Sequence, residues 1–514
     1  MYPGFHAATQ PDKPAVVMGR SGETITYREL DQRSARLAQL LYARGLRPGD
    51  KIALLAENHP RYYEVYWAAI RSGLYITAVS WRLAPDEAAY IVNDCGAAAF
   101  ISTAQQAATA GPVLELIPGC PLRLMMDRAA DGFESYEDAV RAYPAEPLAE
   151  QPRGEVMLYT SGTTGRPKGV KRPLSGRRID DPGVIGVSTL ERMLLGMDET
   201  SVYLCPAPLY HSAGLQWSIG AHELGGTVVL MEKFDAEEML RLFERERVTH
   251  TQVVPTMLVR LLKPPEQTRR SYDVSSLTCV VHAAAPCPAE VKRQVIDWLG
   301  PIVSEYYAGT EGCGLTFISA AEWLEHPGSV GRPIIGIPRI CGEDGTELAA
   351  GKTGLVYFER EESPFEYHGD PAKTRSSHHP EHPTWSTFGD IGYLDSGGYL
   401  YLTDRLAFTI ISGGVNIYPA EIESCLIMHP KVADVAVFGL PDPEMGEYVH
   451  AVVQPAAGAG ESPELAEELR GYMRERLAGY KVPRMVDFRG ELPRAATGKL
   501  YKRQLREEYL AAQA

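Results

Sequence analysis

The residues best equipped for chemistry lie between Tyr159 and Gly169, where three glycines and four aliphatic hydroxyl side chains surround one lysine. Glycines let backbone N–H groups approach an anion closely, hydroxyls donate further hydrogen bonds, and the lysine supplies positive charge, so this loop can wrap a polyphosphate. Its spacing differs from that of the Walker phosphate loop. A flexible surface turn would have a similar composition, so other motifs must decide. The candidate phosphate-binding residues are Thr160, Ser161, Gly162, Thr163, Thr164, Gly165 and Lys168.

A second group of useful side chains stands in the segment Tyr307-Ala308-Gly309-Thr310-Glu311. An aromatic ring such as Tyr307 can stack on a purine, Thr310 can donate a hydrogen bond to a phosphate, and Glu311 can hold Mg²⁺ through oxygen. A helix cap would explain Thr310 and Glu311 but would leave the tyrosine unexplained. The segment therefore favours a nucleotide site.

Four further segments carry small residues or single charges, and each alone has an ordinary structural explanation. Small residues follow a predicted buried strand over 277–281, where they would let a flat purine lie on the backbone. The other three hold one carboxylate, one guanidinium with a glycine pair behind it, and one lysine near the C-terminus. The residues concerned are Ala283, Ala284, Ala285, Pro286, Asp390, Arg405, Ser412, Gly413, Gly414 and Lys499.

In their order along residues 159–499, these segments resemble the motifs of the adenylate-forming superfamily, which includes acyl-CoA synthetases, luciferases and peptide-synthetase adenylation domains. The resemblance implies that ATP, Mg²⁺ and CoA are used, with Glu311 as the metal ligand and Ala407 as the hinge of a mobile domain. It assigns catalysis to Lys499, Thr310, Glu311 and Arg405. It assigns ATP or AMP binding to the loop residues and to Ala284, Ala285, Pro286, Tyr307, Thr310, Asp390, Arg405 and Lys499. It assigns the pantetheine of CoA to Ser412, Gly413 and Gly414.

The resemblance also implies an acyl pocket, bordered by His211, Ala283, Ala308 and Gly309. The chain departs from the family's motifs in two places. The Tyr307–Glu311 segment has Ala308 where glycine is common and Gly309 where a larger residue often sits, and the motif with Asp390 has Phe388 in place of the usual threonine. We expect a roomy pocket because small side chains line its mouth, at Ala283, Ala284, Ala285, Ala308 and Gly309. The predicted substrate is a medium-chain, long-chain or otherwise bulky carboxylic acid rather than acetate.

The implied reaction has two steps, which together define an AMP-forming acid–thiol ligase, an acyl-CoA synthetase. A carboxylate attacks the α-phosphate of ATP and gives an acyl-adenylate and pyrophosphate, and the CoA thiol then attacks the acyl carbonyl and expels AMP. Three alternatives stay open at this point: a ligase for aryl or steroid acids, an enzyme with another acceptor such as a carrier protein or with luciferase-like chemistry, and a nucleotide-binding pseudoenzyme.

The elements that must position these motifs alternate between helix and strand patterns. Helices are predicted over 34–44, 62–70 and 464–478, and strands over 51–56, 432–440 and 448–454. The alternation favours an α/β fold: a large N-terminal domain of layered α/β subdomains and a small mobile C-terminal α+β domain. We place the boundary between residues 404 and 405, so that residues 1–404 hold the AMP-binding and acyl sites and residues 405–514 carry Lys499.

Bulk composition limits the remaining partners. A net charge of −15 leaves no basic surplus for nucleic acid, and no apolar run reaches membrane-spanning length, so a cytoplasmic location is expected. Eight cysteines without a C-x-x-C pair predict reduced, mostly buried thiols rather than disulfides. The histidines at 378, 379 and 382 are interrupted by prolines, and we predict no metal there. A homodimer is possible.

Overall fold

A computed structural model describes residues 2–160, 166–181, 186–494 and 500–513. The chain divides into two compact units. The first comprises Met1–Val253, Pro264–Val281 and Pro364–Lys373, and the second comprises Val254–Lys263, His282–Ser363 and Thr374–Ala514. The predicted boundary at 404/405 divides the second of these units and stays a prediction.

The N-terminal part of the chain alternates strands and helices up to the candidate phosphate loop. The strands are β1 Pro14–Met18, β2 Thr24–Thr26, β3 Lys51–Leu55, β4 Tyr75–Val79, β5 Ala97–Thr103, β6 Leu122–Met126, β7 Glu134–Ser135 and β8 Glu155–Thr160. The helices are α1 Pro3–Thr9, α2 Tyr27–Ala43, α3 Tyr62–Ile70, α4 Pro85–Cys95, α5 Ala107–Leu116 and α6 Tyr136–Arg141.

The middle of the chain continues the same alternation. Its strands are β9 Lys168–Lys171, β10 Val202–Cys205, β11 Thr227–Leu230, β12 His250–Val253 and β13 Cys279–His282. Its helices are α7 Val187–Leu195, α8 Ser212–Leu224, α9 Ala236–Arg245, α10 Pro255–Leu262, α11 Glu266–Arg270 and α12 Ala289–Leu299.

The rest of the chain is richer in strands. These are β14 Val303–Ala308, β15 Leu315–Ile318, β16 Ser329–Ile335, β17 Ile337–Cys341, β18 Gly354–Glu359, β19 Glu366–Tyr367, β20 Trp385–Leu394, β21 Leu400–Arg405, β22 Ile410–Ser412, β23 Val415–Ile417, β24 Val432–Asp442, β25 Gly446–Pro455 and β26 Met485–Phe488. The helices are α13 Ala320–Glu325, α14 Pro371–Ser376, α15 Pro419–Leu426, α16 Pro463–Arg474 and α17 Lys502–Gln513.

In the first unit an eight-stranded sheet has the order β19-β9-β8-β4-β3-β5-β6-β7. Its central strands β8, β4, β3 and β5 run parallel, and β4 is buried along its whole length. Strands of a parallel sheet are covered on both faces, which explains their continuous apolar sequences. A second set of neighbouring strands in this unit runs β13-β12-β10-β11-β1-β2.

In the second unit a mostly antiparallel run of strands has the order β17-β18-β20-β21-β16-β15-β14. Near the C-terminus a five-stranded sheet is built from β23-β22-β25-β24, with β26 beside β25. Helices α15 and α16 pack their buried apolar residues against this sheet, which gives that part of the chain its own core.

The α/β class predicted from sequence is confirmed, and most predicted elements lie within two residues of the observed ones. The main difference is α2, which begins at Tyr27 rather than at Ser34. Thr26 and Glu29 explain the earlier start, because each side chain accepts a hydrogen bond from the other residue's backbone N–H, as in a capping box. All eight cysteines are free thiols and six of them are buried, as expected. Among the described helices, none combines the length and apolarity needed to span a bilayer.

Candidate active site

Three residues of the predicted nucleotide site meet in the second unit. Asp390 on β20 and Arg405 on β21 are register partners across an antiparallel pair, and the Arg405 Nε lies 3.1 Å from Asp390 Oδ1. Tyr307 on β14 donates its hydroxyl proton to Asp390 Oδ2 at 2.6 Å. The Asp390 residue is only 7% exposed. The structure therefore brings together one carboxylate and two donors that lie far apart in sequence.

The electrostatics of this group follow from its burial. Burial raises the pKa of the Asp390 carboxyl, while the Arg405 guanidinium and the Tyr307 hydroxyl oppose that rise. Burial also raises the pKa of the Tyr307 phenol well above its usual range, and the neighbouring carboxylate adds to the shift. Tyr307 therefore keeps its proton and stays a hydrogen-bond donor. An ionised carboxylate offers about four lone-pair directions, so Asp390 retains capacity for two ligand hydroxyls.

Asp404, beside Arg405, was given no role from the sequence. One of its carboxylate oxygens accepts a hydrogen bond from the Arg405 N–H at 2.7 Å, and the other accepts one from the Ala420 N–H at 2.9 Å. Because Ala420 lies in the first turn of α15, a carboxylate there satisfies a free helix N–H group and complements the helix dipole. Asp404 thus ties the end of β21 to α15 and holds the strand that carries Arg405. An acidic residue next to the motif arginine was the signal available in the sequence.

The residues predicted to bear the purine follow β13 directly. Ala284 and Pro286 are exposed, Ala285 is half-buried, and Ala283 is buried. Ala284 has φ +76°, a left-handed conformation that costs an alanine about 1–2 kcal/mol. The backbone at this strand end is therefore held in a strained turn, with its surface open to a flat ligand.

A buried group of ionisable side chains on α12, β14 and His282 was missed by sequence reasoning. The Lys292 ammonium lies 2.7 Å from Glu305 and 4.8 Å from the Trp323 ring centre, and His282 Nε2 lies 3.4 Å from the same carboxylate. Burial raises the pKa of Glu305 and lowers the pKa of Lys292, and each partner opposes the shift of the other. Burial also lowers the pKa of His282 well below its usual range, so its ring is neutral. This group connects α12 to His282, the residue before Ala283, and to β14, the strand that carries Tyr307.

The first unit contains the ends of the predicted phosphate loop. Thr160 and Lys168 are register partners on the antiparallel strands β8 and β9, so these two residues, which flank the loop, lie next to each other. The loop residues Ser161, Gly162, Thr163, Thr164 and Gly165 lie outside the described residues. The Lys168 ammonium lies 2.9 Å from Asp370 Oδ2. The Asp370 carboxylate raises the pKa of Lys168 and the lysine lowers that of Asp370, so both stay charged.

Helix α4 anchors the chain on both sides of that loop. The Tyr159 hydroxyl donates to Asp94 Oδ2 at 2.5 Å just before the loop, and the Tyr90 hydroxyl donates to the Pro167 carbonyl at 3.3 Å just after it. These two bonds and the β8–β9 pairing fix the positions of the residues that flank the loop.

The turn after β14 carries Thr310 and Glu311, both half-buried. Within the described residues, no cluster of three His, Cys, Asp or Glu side chains could hold a metal. Glu311 therefore fits Mg²⁺ only in the manner in which that ion usually binds beside nucleotides, through one or two carboxylates, substrate phosphates and water. The ion would supply positive charge to the phosphate oxygens.

The space in front of Gly309, which we expected to widen the acyl pocket, is filled. A Cβ built on Gly309 would lie 2.5 Å from the Phe388 ring and 3.2 Å from Glu311 Oε2. The inference of a roomy pocket from the missing side chain at 309 is therefore wrong at this position, because an aromatic ring from β20 occupies the space. Ala308, the last residue of β14, is half-buried.

The other predicted residues lie on separate elements. His211 precedes α8 in the first unit, with the Tyr210 ring centre 4.3 Å from its own. Ala407 lies in a short 3₁₀ turn, Leu406–Phe408, and its role as a hinge stays a prediction. Lys499 lies outside the described residues.

The glycines predicted to admit pantetheine connect β22 to β23. Gly413 and Gly414 have φ +57° and +77°, which explains why glycine suits both positions. A Cβ on Gly413 would collide with Met445, whereas Gly414 has open space around it. Ser412, the last residue of β22, is half-buried.

The three clustered histidines have separate local partners. The His379 ring bonds the Gly345 carbonyl at 2.8 Å, the His382 ring stacks on Trp385 at 4.0 Å, and His378 Nε2 lies 2.9 Å from Ser363 Oγ. Their rings serve packing and loop contacts.

Comparison with known proteins identifies the family. The model of the AMP-binding enzyme family matches residues 5–362, and that of the AMP-binding enzyme C-terminal domain matches residues 421–499. The chain therefore belongs to the AMP-binding enzyme family. The predicted superfamily and the presence of a large N-terminal and a small C-terminal domain are confirmed.

Similar proteins carry the names of ligases. The chain is 35% identical to a feruloyl-CoA synthase from Amycolatopsis sp, over 99% of this chain and 98% of that protein. It is 32% identical to the fatty acid–[acyl-carrier-protein] ligase ScoC from Streptomyces coeruleorubidus, over 98% and 95%. The Bacillus subtilis o-succinylbenzoate CoA synthetase MenE, solved with its acyl-adenylate, has a TM-score of 0.80 at 27% identity, with 98% and 97% covered. The predicted enzyme class, an AMP-forming acid–thiol ligase that uses ATP, Mg²⁺ and CoA, is confirmed with the family.

Proposed function

We propose that this ligase activates a bulky carboxylic acid, either aromatic or of medium to long chain, and transfers it to CoA. The observation that carries the nucleotide half of the proposal is the buried Asp390 carboxylate, held by Tyr307 and Arg405 with capacity left for two hydroxyls. The ribose of ATP offers such a pair of hydroxyls. Relatives named for feruloyl, fatty and succinylbenzoyl acids support the bulky acyl group.

The chemistry explains why positive charge is needed. A carboxylate is a poor acyl donor because its leaving group would be oxide, and adenylation turns that oxygen into part of a phosphate leaving group. Two anions must also meet, so fixed donors are needed where negative charge develops. We assign this task to Lys499, to Lys168 with its loop, and to Mg²⁺ on Glu311. Each charge-assisted hydrogen bond contributes about 1.5–3 kcal/mol.

The test of the acid is an ATP–pyrophosphate exchange assay with a size series: acetate, benzoate, ferulate, octanoate, dodecanoate and a steroid acid. We expect the highest kcat/KM with one of the bulky acids. Acetate as the preferred substrate would overturn this part of the proposal. The absence of exchange with every acid, in a protein that still binds AMP, would favour a nucleotide-binding pseudoenzyme.

A carrier protein is the second candidate acceptor, because ScoC, named for that acceptor, is similar over nearly the whole chain. The acceptor is identified by giving the enzyme its best acid and ATP with either CoA or a phosphopantetheinylated carrier protein. CoA-dependent AMP release supports the proposal. Release with the carrier protein alone would replace it, and light emission with oxygen would indicate luciferase-like chemistry.

The two half-reactions can be separated by variants of the C-terminal region. Lys499→Ala should slow adenylation about 10²–10³-fold, as for the loss of one preorganised donor, while preformed acyl-adenylate and CoA still react at the wild-type rate. Gly414→Leu should keep pyrophosphate exchange and lose thioester formation. Gly414→Asn is its control, because asparagine tolerates the left-handed backbone that leucine resists. Equal loss of both steps in Lys499→Ala would contradict the assignment.

A further inference from the structure

Two departures from the family pattern, Gly309 and Phe388, are in direct contact in the structure. They lie on different elements, one after β14 and the other on β20, yet the Phe388 ring occupies the position that a side chain at 309 would take. Both residues are half-buried, so this pair keeps some accessible surface. The space left by the missing side chain at position 309 is thus filled by the phenyl ring of Phe388.

The Phe388 ring contacts a residue that we assign to nucleotide binding. Phe388 meets the Tyr307 ring edge-on, with centres 5.5 Å apart and planes at 83°. A Cβ built on Gly309, which would collide with this ring, would lie 3.2 Å from Glu311 Oε2. Phe388 is therefore next to the tyrosine of the nucleotide group and next to Gly309, whose side-chain position adjoins the carboxylate assigned to Mg²⁺. The acid to be activated must bring its carboxyl group to that neighbourhood.

We propose that Phe388 is a specificity-determining residue, whose ring forms the wall of the acyl site that the residue at 309 would otherwise form. The proposal rests on the proposed function and deepens it, because Phe388 on β20 then determines how wide an acid the enzyme accepts. A flat aromatic wall also suits planar acids, which can stack on it or meet its edge.

The chain offers a matched control in the same cluster. Phe358 on β18 packs against Gly314 in the same way, since a Cβ on that glycine would collide with its ring. Its ring centre is 5.9 Å from that of Phe388, but Phe358 is fully buried. Phe358→Leu therefore disturbs the same aromatic packing without exposing a changed surface to the acid.

The experiment compares five proteins: wild type, Phe388→Leu, Gly309→Met, Gly309→Met with Phe388→Thr, and Phe358→Leu. For each, we measure the melting temperature, the Kd of AMP by calorimetry, and kcat/KM in pyrophosphate exchange with benzoate, ferulate, octanoate and dodecanoate. The first two measurements need no acid, so they report folding and nucleotide binding separately from specificity.

Phe388→Leu should change the ratio of kcat/KM between wider and narrower acids about tenfold or more, the scale at which pocket size discriminates substrates. Gly309→Met alone overpacks the site and should lose activity with all acids. The double variant should recover kcat/KM to within about threefold of wild type, because the larger side chain at position 309 fills the volume that the smaller one at position 388 leaves empty. Phe358→Leu should lower the melting temperature and leave the ratio unchanged.

The contrary results are distinct. An unchanged acid ratio in Phe388→Leu, an equal change in Phe358→Leu, or additive losses in the double variant would overturn the role of Phe388 while the ligase function stands. A wild type that binds AMP but activates no acid would overturn the proposed function, and this inference with it.

Discussion

Two aspartates, one in each unit, hold basic side chains in different environments: Asp390 and Asp370. Asp390, in the second unit, is almost fully buried and is held by Tyr307 and Arg405. Asp370, in the first unit, pairs with Lys168 where the two side chains are 24% and 35% exposed. The first carboxylate is fixed before any ligand arrives, whereas the second lies in an ion pair that water can screen.

The difference indicates two ways to use a carboxylate. A buried, hydrogen-bonded carboxylate costs no reorganisation when it accepts a ligand's hydroxyls, so we infer that it serves recognition of the nucleoside. A partly exposed ion pair contributes little because water screens it, so its lysine can leave it for a phosphate at little cost.

The largest effect is expected for Asp390→Asn. The amide keeps the shape but loses the charge that should accept the ribose hydroxyls, and Arg405 loses its ionic partner. Two charge-assisted hydrogen bonds of about 1.5–3 kcal/mol each correspond to at least a 10²-fold rise in the Kd of AMP, measured by calorimetry. An unchanged melting temperature serves as the control for folding. A change below about threefold would show that Asp390 does not bind the nucleoside.

The pH dependence of adenosine binding should reveal the raised pKa of Asp390. Only the ionised carboxylate accepts the ribose hydroxyls, so affinity falls as the pH is lowered through the pKa, by about tenfold one unit below it. Because burial raises that pKa, the fall should begin above the usual aspartate range. Asp390→Asn should abolish the dependence. A wild-type profile as flat as that of the variant would contradict the assignment.

Tyr307→Phe should have a smaller effect of about three- to tenfold on the Kd of AMP, since it removes one donor and keeps the ring. The Tyr307 hydroxyl lowers the pKa of Asp390, so its removal should also move the adenosine-binding profile toward higher pH. If the Tyr307 hydroxyl contributed only packing, the profile would stay where it is. The pH profile therefore distinguishes a positioning role from a packing role.

The smallest effect, and the one of opposite sign, is expected for Asp370→Asn. Removing the competing carboxylate should tighten binding of ATP and pyrophosphate about two- to fivefold, while AMP binding stays unchanged. The gain should shrink at high salt, because screening weakens the pair in the wild type. Glu366→Gln is a matched control, since it breaks the Lys171–Glu366 pair, 2.9 Å long, whose lysine lies on the same strand, β9, as Lys168. Weaker ATP binding in Asp370→Asn would mean that the aspartate orients Lys168 for the nucleotide.

Many helices and strands could be predicted from local sequence patterns. Helix α3 and strand β3 lie where their apolar patterns predicted them, and the inward residues Leu465, Leu469 and Met473 of α16 are buried as their helical spacing required. These features depend on periodicity within one element, which a single sequence displays directly. The start of α2 was missed because a cap is decided by two particular side chains rather than by periodicity.

The sequence alone determined the family, the order of the motifs, the α/β class and the identities of Tyr307, Asp390 and Arg405 as residues with suitable chemistry. Only the tertiary structure decided which of them touch. It set Asp390 opposite Arg405 through the register of β20 and β21, buried Glu305 with Lys292 and His282, and filled the space at Gly309 with Phe388. Contacts between distant residues follow from strand register and packing, and local propensity encodes neither of these.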